Sequence, residues 1–371
     1  MTSGSRHSEG THTRRNVLIG SAVFAAVVGA VAALTLGQSA PGAENASGGQ
    51  TPKVCSTNSA TSPCAAASGG AAVPSATATT AGPTTPPKTA TPAPTPAGPC
   101  ASATACGFPG PADTGPGKTA QVAHSGNLEV RTNGETIDGW DLHGSLDIYA
   151  NNVTVIDSSI TSTTWWGINL RPGYTGLRIL HSMLTGTPGA GPDNGGEDYA
   201  VSDMGAGTIE VGWDDISVFG DTLSMGNGYI HDDYVHGIVP FINRSGTYEH
   251  LDAVISDGDD KLGLVIRHNT ILNPVNYTQG PTSAIGLLPN TGPVYDTTVQ
   301  DNWIAGGAFA LYGGGKGASN IVVTGNVFST QYWNQCGYYG PVAYWNTGGS
   351  GNVWSDNTYS SGAPVNEPTG S

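Results

Sequence analysis

Charge is scarce in this chain: Asp, Glu, Lys and Arg make up 11% of its 371 residues, and methionine occurs only 4 times. So few Lys, Glu and Arg, set against 55 glycines, argue against a helix-rich protein and for β-structure and turns. No stretch carries the pattern of a long amphipathic helix. Basic residues are the scarcer sign, with 13 Lys and Arg against 28 Asp and Glu and a net charge of −15. A chain without a basic face is a poor partner for a phosphate backbone, so nucleic acid is not expected. Cysteine is also sparse. None of the 5 has the spacing or the histidine company of a zinc site.

Long apolar runs are as rare, and the one present decides the compartment. Arg14 and Arg15 precede VLIGSAVFAAVVGAVAALTL, with small residues around Ala40 and Ala43 after it. That order is basic, apolar, small, as in a signal peptide, and Thr13–Leu18 is similar to a twin-arginine export signal. About 20 apolar residues also suffice to span a bilayer. Residues 1–43 therefore read as an export signal or a membrane anchor, and the protein as extracellular, secreted or tethered. Residues 44–106 are rich in Thr, Ala, Pro and Ser and read as a disordered linker. Cys55–Cys64 and Cys100–Cys106 would close local loops in an exported protein, although spacing does not fix pairing, and Cys336 would be left over.

What residues 107–371 have in abundance is one eight-place pattern: apolar, any, apolar, any, Asp/His/Asn/Gly, Asn/Ser/Gly, any, apolar. It occurs at Leu264 (LVIRHNTI), Val153 (VTVIDSSI), Leu177 (LRILHSML), Leu223 (LSMGNGYI), Thr297 (TTVQDNWI), Ile321 (IVVTGNVF) and Asn352 (NVWSDNTY). Most steps between these starts fit one turn of a solenoid with loops of varying length, and the step of 46 from 177 to 223 hides one degenerate turn. Apolar residues two apart share one strand face. One turn cannot bury that face alone, whereas a stack of turns makes a continuous core. Ser158, Ser182, Asn269, Asn302, Asn326 and Asn357 hold the sixth place, with Asn227 one place off, where a small polar residue suits a tight corner and bonds its neighbour above. TIDGWDL at Thr136–Leu142 reads as a distorted first turn, regular strands are expected from about Leu128, and no cap for the open ends is legible.

GFPGPADTGPG, NNVTVIDSSI, GYIHDDYVHG, LVIRHNTI, QCGYYGPVAYWN and GNVWSDNTY together resemble a family of secreted bacterial right-handed parallel β-helix proteins of the pectin-lyase-like superfamily. The resemblance spans residues 107–359 and rests on scaffold motifs. It implies an all-β, right-handed parallel β-helix solenoid. For the reaction it implies only a range, since the superfamily holds lyases, hydrolases, epimerases, esterases and tailspikes. Relatives often carry a second cysteine before the region matching Tyr312–Gly313, and Phe309–Ala310–Leu311 has none, which leaves Cys336 without that family disulfide.

A second column recurs between the repeats as any, small, apolar: Trp166–Gly167–Ile168, Asp214–Asp215–Ile216, Asp252–Ala253–Val254, Ser283–Ala284–Ile285, Phe309–Ala310–Leu311 and Val342–Ala343–Tyr344. If its first members point outward, Asp214 and Asp252 lie in adjacent turns, on the order of 5 Å apart. Such a pair either raises one pKa, giving a general acid, or shares a cation such as Ca²⁺. Asp252 with His250 is the best candidate, because the resembling family shares that H-x-D string. Lys261, Arg244 or His250 would serve as base or uronate neutraliser in a lyase, while a hydrolase would use the aspartates as acid and base. His231, Asp232, Asp233 and His236 add ionisable groups, and Trp165, Trp166 and Trp213 could stack on sugar rings. Asp232 and Asp233 could equally cap a turn, Asp257–Lys261 reads as a solvated loop, and His181, Arg267 and His268 as structural corner residues. Two functions follow as expectations: an exported enzyme acting on a polysaccharide laid along the solenoid groove, or a non-catalytic surface module for glycan binding or adhesion.

Overall fold

The computed structural model describes residues 99–118, 121–205, 207–259 and 262–369. They fall within one compact unit, Pro92–Ser371. The signal or anchor segment, nearly all of the linker, Cys55, Cys64 and Lys261 lie outside the described residues. Among the described residues the single helical element is a 3-10 turn at Thr104–Cys106, and every pairing between strands is parallel. The fold is a parallel β-helix. One sheet has nine strands, from Thr136–Asp138 to Val353–Ser355, and a second has 17 strands covering the other two sides of each turn.

The third place of the repeat builds the core of the nine-stranded side. Val155, Ile179, Val211, Ile230, Ile266, Val299 and Val323 stand in register on successive turns, and all are fully buried. Each such side chain contributes about 2 kcal/mol by leaving water. The degenerate turn inferred from the step of 46 is Ile209–Ile216, IEVGWDDI, whose strand Ile209–Gly212 pairs with Leu177–Leu180. The next repeat starts at Gly228, in register with Leu264, so its string is GYIHDDYV and the expected start at Leu223 is out of register. Leu223 belongs to a different side, paired with Val201 and Val254.

The corner after this sheet divides its work between two places. The fifth place carries the left-handed backbone: Asp157, His181, Trp213, Asp232, His268, Asp301 and Asp356 all have φ between 47° and 58°, and Gly325 has 68°. Asp and His are tolerated there better than branched residues. The sixth place does not turn but bonds. Each backbone N–H donates to the sixth-place side chain of the following turn, from Ser158 to Ser182 (3.2 Å) and onward through Asp214, Asp233, Asn269, Asn302 and Asn326 to Asn357.

The segment before the first strand runs along the outside of this corner as a strap. Cys100 N–H donates to Ser360 O, Phe108 packs on Trp303, and Thr270 Oγ1 donates to Pro109 O. Farther along, Gly115 N–H donates to Trp213 O and Gly117 N–H to Asp157 Oδ1. Cys100 and Cys106 form a disulfide, whereas Cys336 is a buried free thiol. At the far end the chain's tail closes the last turn: the Trp345 indole donates to Glu367, the Trp354 indole to Val365 O, and Val365 itself is buried.

Candidate functional site

The expected pair of Asp214 and Asp252 is not formed. Asp214 is a sixth-place corner residue, wholly buried, accepting from Ser182 N–H (2.5 Å) and Gly212 N–H (3.2 Å). Its neighbour is Asp233, whose Oδ1 accepts the Asp214 N–H at 2.8 Å. Burial, then the facing charge of Asp233, holds the Asp214 carboxyl well above its ordinary range. Burial lifts Asp233 to about 8, and its Oδ2 has no hydrogen-bond partner. These two aspartates fill asparagine positions of the corner ladder, so neither is free to hold Ca²⁺ with Asp252 or to meet a substrate.

The other candidates on the nine-stranded sheet form a closed surface network of their own. His231 is buried between Asp232 (2.9 Å) and Glu210 (3.4 Å), and Trp213 meets it edge-on at 4.6 Å. Burial pulls the His231 pKa down, but the two carboxylates overcome it and raise it to about 9. Asp232 also accepts from His268, and Arg178 binds Glu210 at 2.6 Å. His236 belongs instead to the 17-stranded sheet, on the strand Tyr234–His236, and pairs with Asp215 at 2.8 Å. Each of these groups already has its partner within the scaffold.

The remaining candidates meet on the side built from Trp166–Leu170, Tyr199–Asp203, Leu223–Ser224, Leu251–Ser256, Pro281–Leu287 and Phe309–Gly313. Here Trp166 stands in register with Tyr199, and Asp252 with Ser283, which is in register with Phe309. Asp221, two residues before Leu223, supplies the turn between. Asp252 N–H donates to Asp221 Oδ1 at 3.1 Å, and Thr222 N–H donates to Asp252 O at 2.9 Å. Asp252 is buried and accepts the Ser283 hydroxyl, whereas Asp221 is only half-buried. Burial raises Asp252 to about 7, and burial plus the Asp252 charge raises Asp221 well above its usual range.

Three more carboxyls flank this pair. Oxygens of Asp193, Asp198 and Glu249 all lie within 4.8 Å of one another, a spacing that would suit a hard divalent cation. Burial, then the charges of Asp193 and Glu249, raises Asp198 to about 8, and Asp198 Oδ1 has no partner. Arg244 brings the opposing charge: its backbone N–H donates to Asp193 Oδ1 at 2.8 Å, and its guanidinium lies 5.1 Å over the Trp165 ring. Trp165 O in turn accepts the Tyr199 N–H at 3.0 Å. A depression of about 470 Å³ lies beside them, lined by Gly191, Pro192, Asn194, Asn243, Arg244 and Gly246. His250 sits at the rim of the same strand, its N–H donating to Glu249 Oε1. No family model, curated protein or solved structure matches the chain.

The structure therefore keeps Asp252, His250, Arg244, Trp165 and Trp166 together and separates them from Asp214, Trp213, His231, Asp232, Asp233 and His236. It adds Asp221, Asp198, Asp193 and Glu249, which the sequence reading passed over. The signal was present for one of them, Asp221. Tyr199–Ala200–Val201 and Asp221–Thr222–Leu223 are true members of the any–small–apolar column, and Asp214–Asp215–Ile216 is not.

Proposed function

We propose that this protein is an exported glycoside hydrolase, acting on a polysaccharide laid across the turns that carry Asp221 and Asp252. The observation that carries this reading is the pair itself: two carboxyls in adjacent turns, one bonded to the other's backbone, both raised above the ordinary carboxylate range. Two such groups in a drying site do not both ionise, so the pair keeps a proton at neutral pH. Asp221 is the less buried member and takes the role of general acid to the leaving glycosidic oxygen. Asp252, buried behind it and fixed by Ser283, positions Asp221 and holds its proton. Glu249, whose charge reaches Asp221, takes the part of the second carboxyl, activating water or facing the positive charge developing on the sugar.

Charge favours hydrolysis over elimination from a uronate. The groups around Asp221 are Asp252, Glu249, Asp198 and Asp257, and the opposing guanidinium, Arg244, is already bound over Trp165. A field of that sign repels a polyuronate and tolerates a neutral chain. The resemblance to pectin-lyase-like β-helix proteins and the export signal are consistent with an extracellular polysaccharide substrate.

The test is Asp221→Asn in the full chain, assayed for reducing ends on neutral and acidic polysaccharides. Turnover is expected to fall by on the order of 10³-fold with the melting temperature essentially unchanged. Retained turnover in the variant, unsaturated uronate products from the wild type, or no turnover on any polymer would each sink the reading.

A further inference from the structure

Downstream of the carboxyl pair, on the turns that follow it, the described residues contain a run of touching aromatic rings that the proposed chemistry does not use. Tyr277 stacks on Tyr338 with ring centres 3.9 Å apart and planes 9° from parallel. Trp333 closes edge-on against Tyr338 at 5.2 Å, and Tyr338 meets Tyr339 at 4.7 Å. Tyr339 leads to Phe309 at 5.8 Å, and Phe309 to Tyr312 at 5.6 Å. Three separate parts of the chain converge to make this run: the loop after Asn273, the strand Phe309–Gly313 and the loop before Gly340.

Two facts argue that the run serves more than packing. Its outer rings are open to water, Tyr277 at 45% and Tyr339 at 54% exposure, among few large hydrophobic side chains so placed. Contiguous exposed aromatic surface marks a contact site in a water-soluble fold. The run is also aligned with the carboxyl pair. Phe309 is in register with Ser283 and through it with Asp252, two turns or about 10 Å away along the axis. Tyr312 lies near enough to Asp252 that the carboxylate, after burial, helps push its phenol up.

We infer that this run is a binding platform for a neutral polysaccharide, whose sugar rings stack on Tyr277, Tyr339 and Phe309 as the chain passes along the turns toward Asp221. The inference rests on the reading of the carboxyl pair as the reactive centre. Aromatic faces take the C–H faces of pyranose rings, while the Tyr339 hydroxyl and the capacity left on Tyr277 and Tyr338, which bond each other, meet ring hydroxyls. Charged sugars gain little here, because the run carries no cation and ends beside a carboxyl cluster. Polymer length matters for the same reason: a ligand must span about 10 Å to touch both the platform and the pair.

The test is affinity electrophoresis of the full chain through gels containing a soluble β-glucan, a galactomannan, a xylan or polygalacturonate. The protein is run as wild type and as Asp221→Asn, so binding is read without turnover and does not depend on the catalytic reading. Retardation by at least one neutral polymer in both proteins, and none by polygalacturonate, is expected. Tyr277→Ala/Tyr339→Ala should weaken that retardation about tenfold in apparent Kd with an unchanged melting temperature, and Tyr277→Phe/Tyr339→Phe should restore most of it by returning the rings. Passage of the wild type unretarded through every neutral gel would overturn the inference. So would preference for polygalacturonate, or equal binding by the alanine and phenylalanine variants.

Discussion

Asp233 shows how far one side chain can depart from the role its chemistry suggests. In the corner ladder an asparagine at the sixth place accepts one backbone N–H and donates to a carbonyl of the turn before, as Asn269 does to Ile230 O at 3.0 Å. Asp233 accepts but has nothing to donate unless it is protonated, and its Oδ2 is left without a partner. An unfolded aspartate titrates near 3.9, and this one at about 8. The native state then holds the extra proton between about pH 4 and 8, so stability falls as pH rises across that window and the contribution is fully present only below it. Asp233→Asn supplies the missing donor permanently. Its melting temperature should exceed that of the wild type by about 3–6 °C at pH 8 and by far less at pH 4.5. An equal gain at both values would mean the carboxyl is not protonated in the fold. The sequence alone hid this, because IHDDYVH looks like a catalytic string until its register shows Asp232 and Asp233 at the fifth and sixth places.

At the scale of the element, the ladder is the best-specified part of the structure and was also the best read. The repeat around Leu264 located Asn269, Asn302, Asn326 and Asn357 correctly because three apolar places and a small polar corner leave little freedom of register. Register is ambiguous in the sequence where that contrast weakens. LSMGNGYI satisfies every place of the pattern at Leu223, whereas GYIHDDYV, the string in register, departs from it with Gly228 at the first place and Asp233 at the sixth. That offset puts Asp214 in a column it does not occupy and hides Asp221, so the carboxyl site is half legible in the sequence. Asn302 tests the ladder itself. Its Oδ1 accepts Asn269 N–H and Nδ2, and its Nδ2 donates to Ile266 O and Asn326 Oδ1, all between 2.9 and 3.0 Å. Asn302→Ala orphans buried groups on both neighbouring turns and should cost about 3 kcal/mol in urea denaturation, with an unchanged m-value. A loss below about 1 kcal/mol would mean that water or local shifts replace the ladder.

A solenoid is a one-dimensional stack in which each turn touches only its neighbours, and its ends should open before its middle. The strap changes that expectation here. Residues 100–117 bond or pack against Ser360, Trp303, Thr270, Trp213 and Asp157, turns that are otherwise remote from one another, and the disulfide Cys100–Cys106 stiffens its first part. Phe108 is the strap's apolar anchor, 5% exposed and set among Leu272, Trp303 and Val327. Because the strap ties first turns to last, the wild type should unfold in one calorimetric transition, with van't Hoff and calorimetric enthalpies equal. Phe108→Ala removes about 3–5 kcal/mol of packing and frees the strap from the later turns. Its transition should split or broaden, with the van't Hoff enthalpy falling below the calorimetric one, as the two ends of the stack melt independently. A single sharp transition merely displaced to lower temperature would show instead that nearest-neighbour stacking supplies the cooperativity and that the strap acts only where it touches.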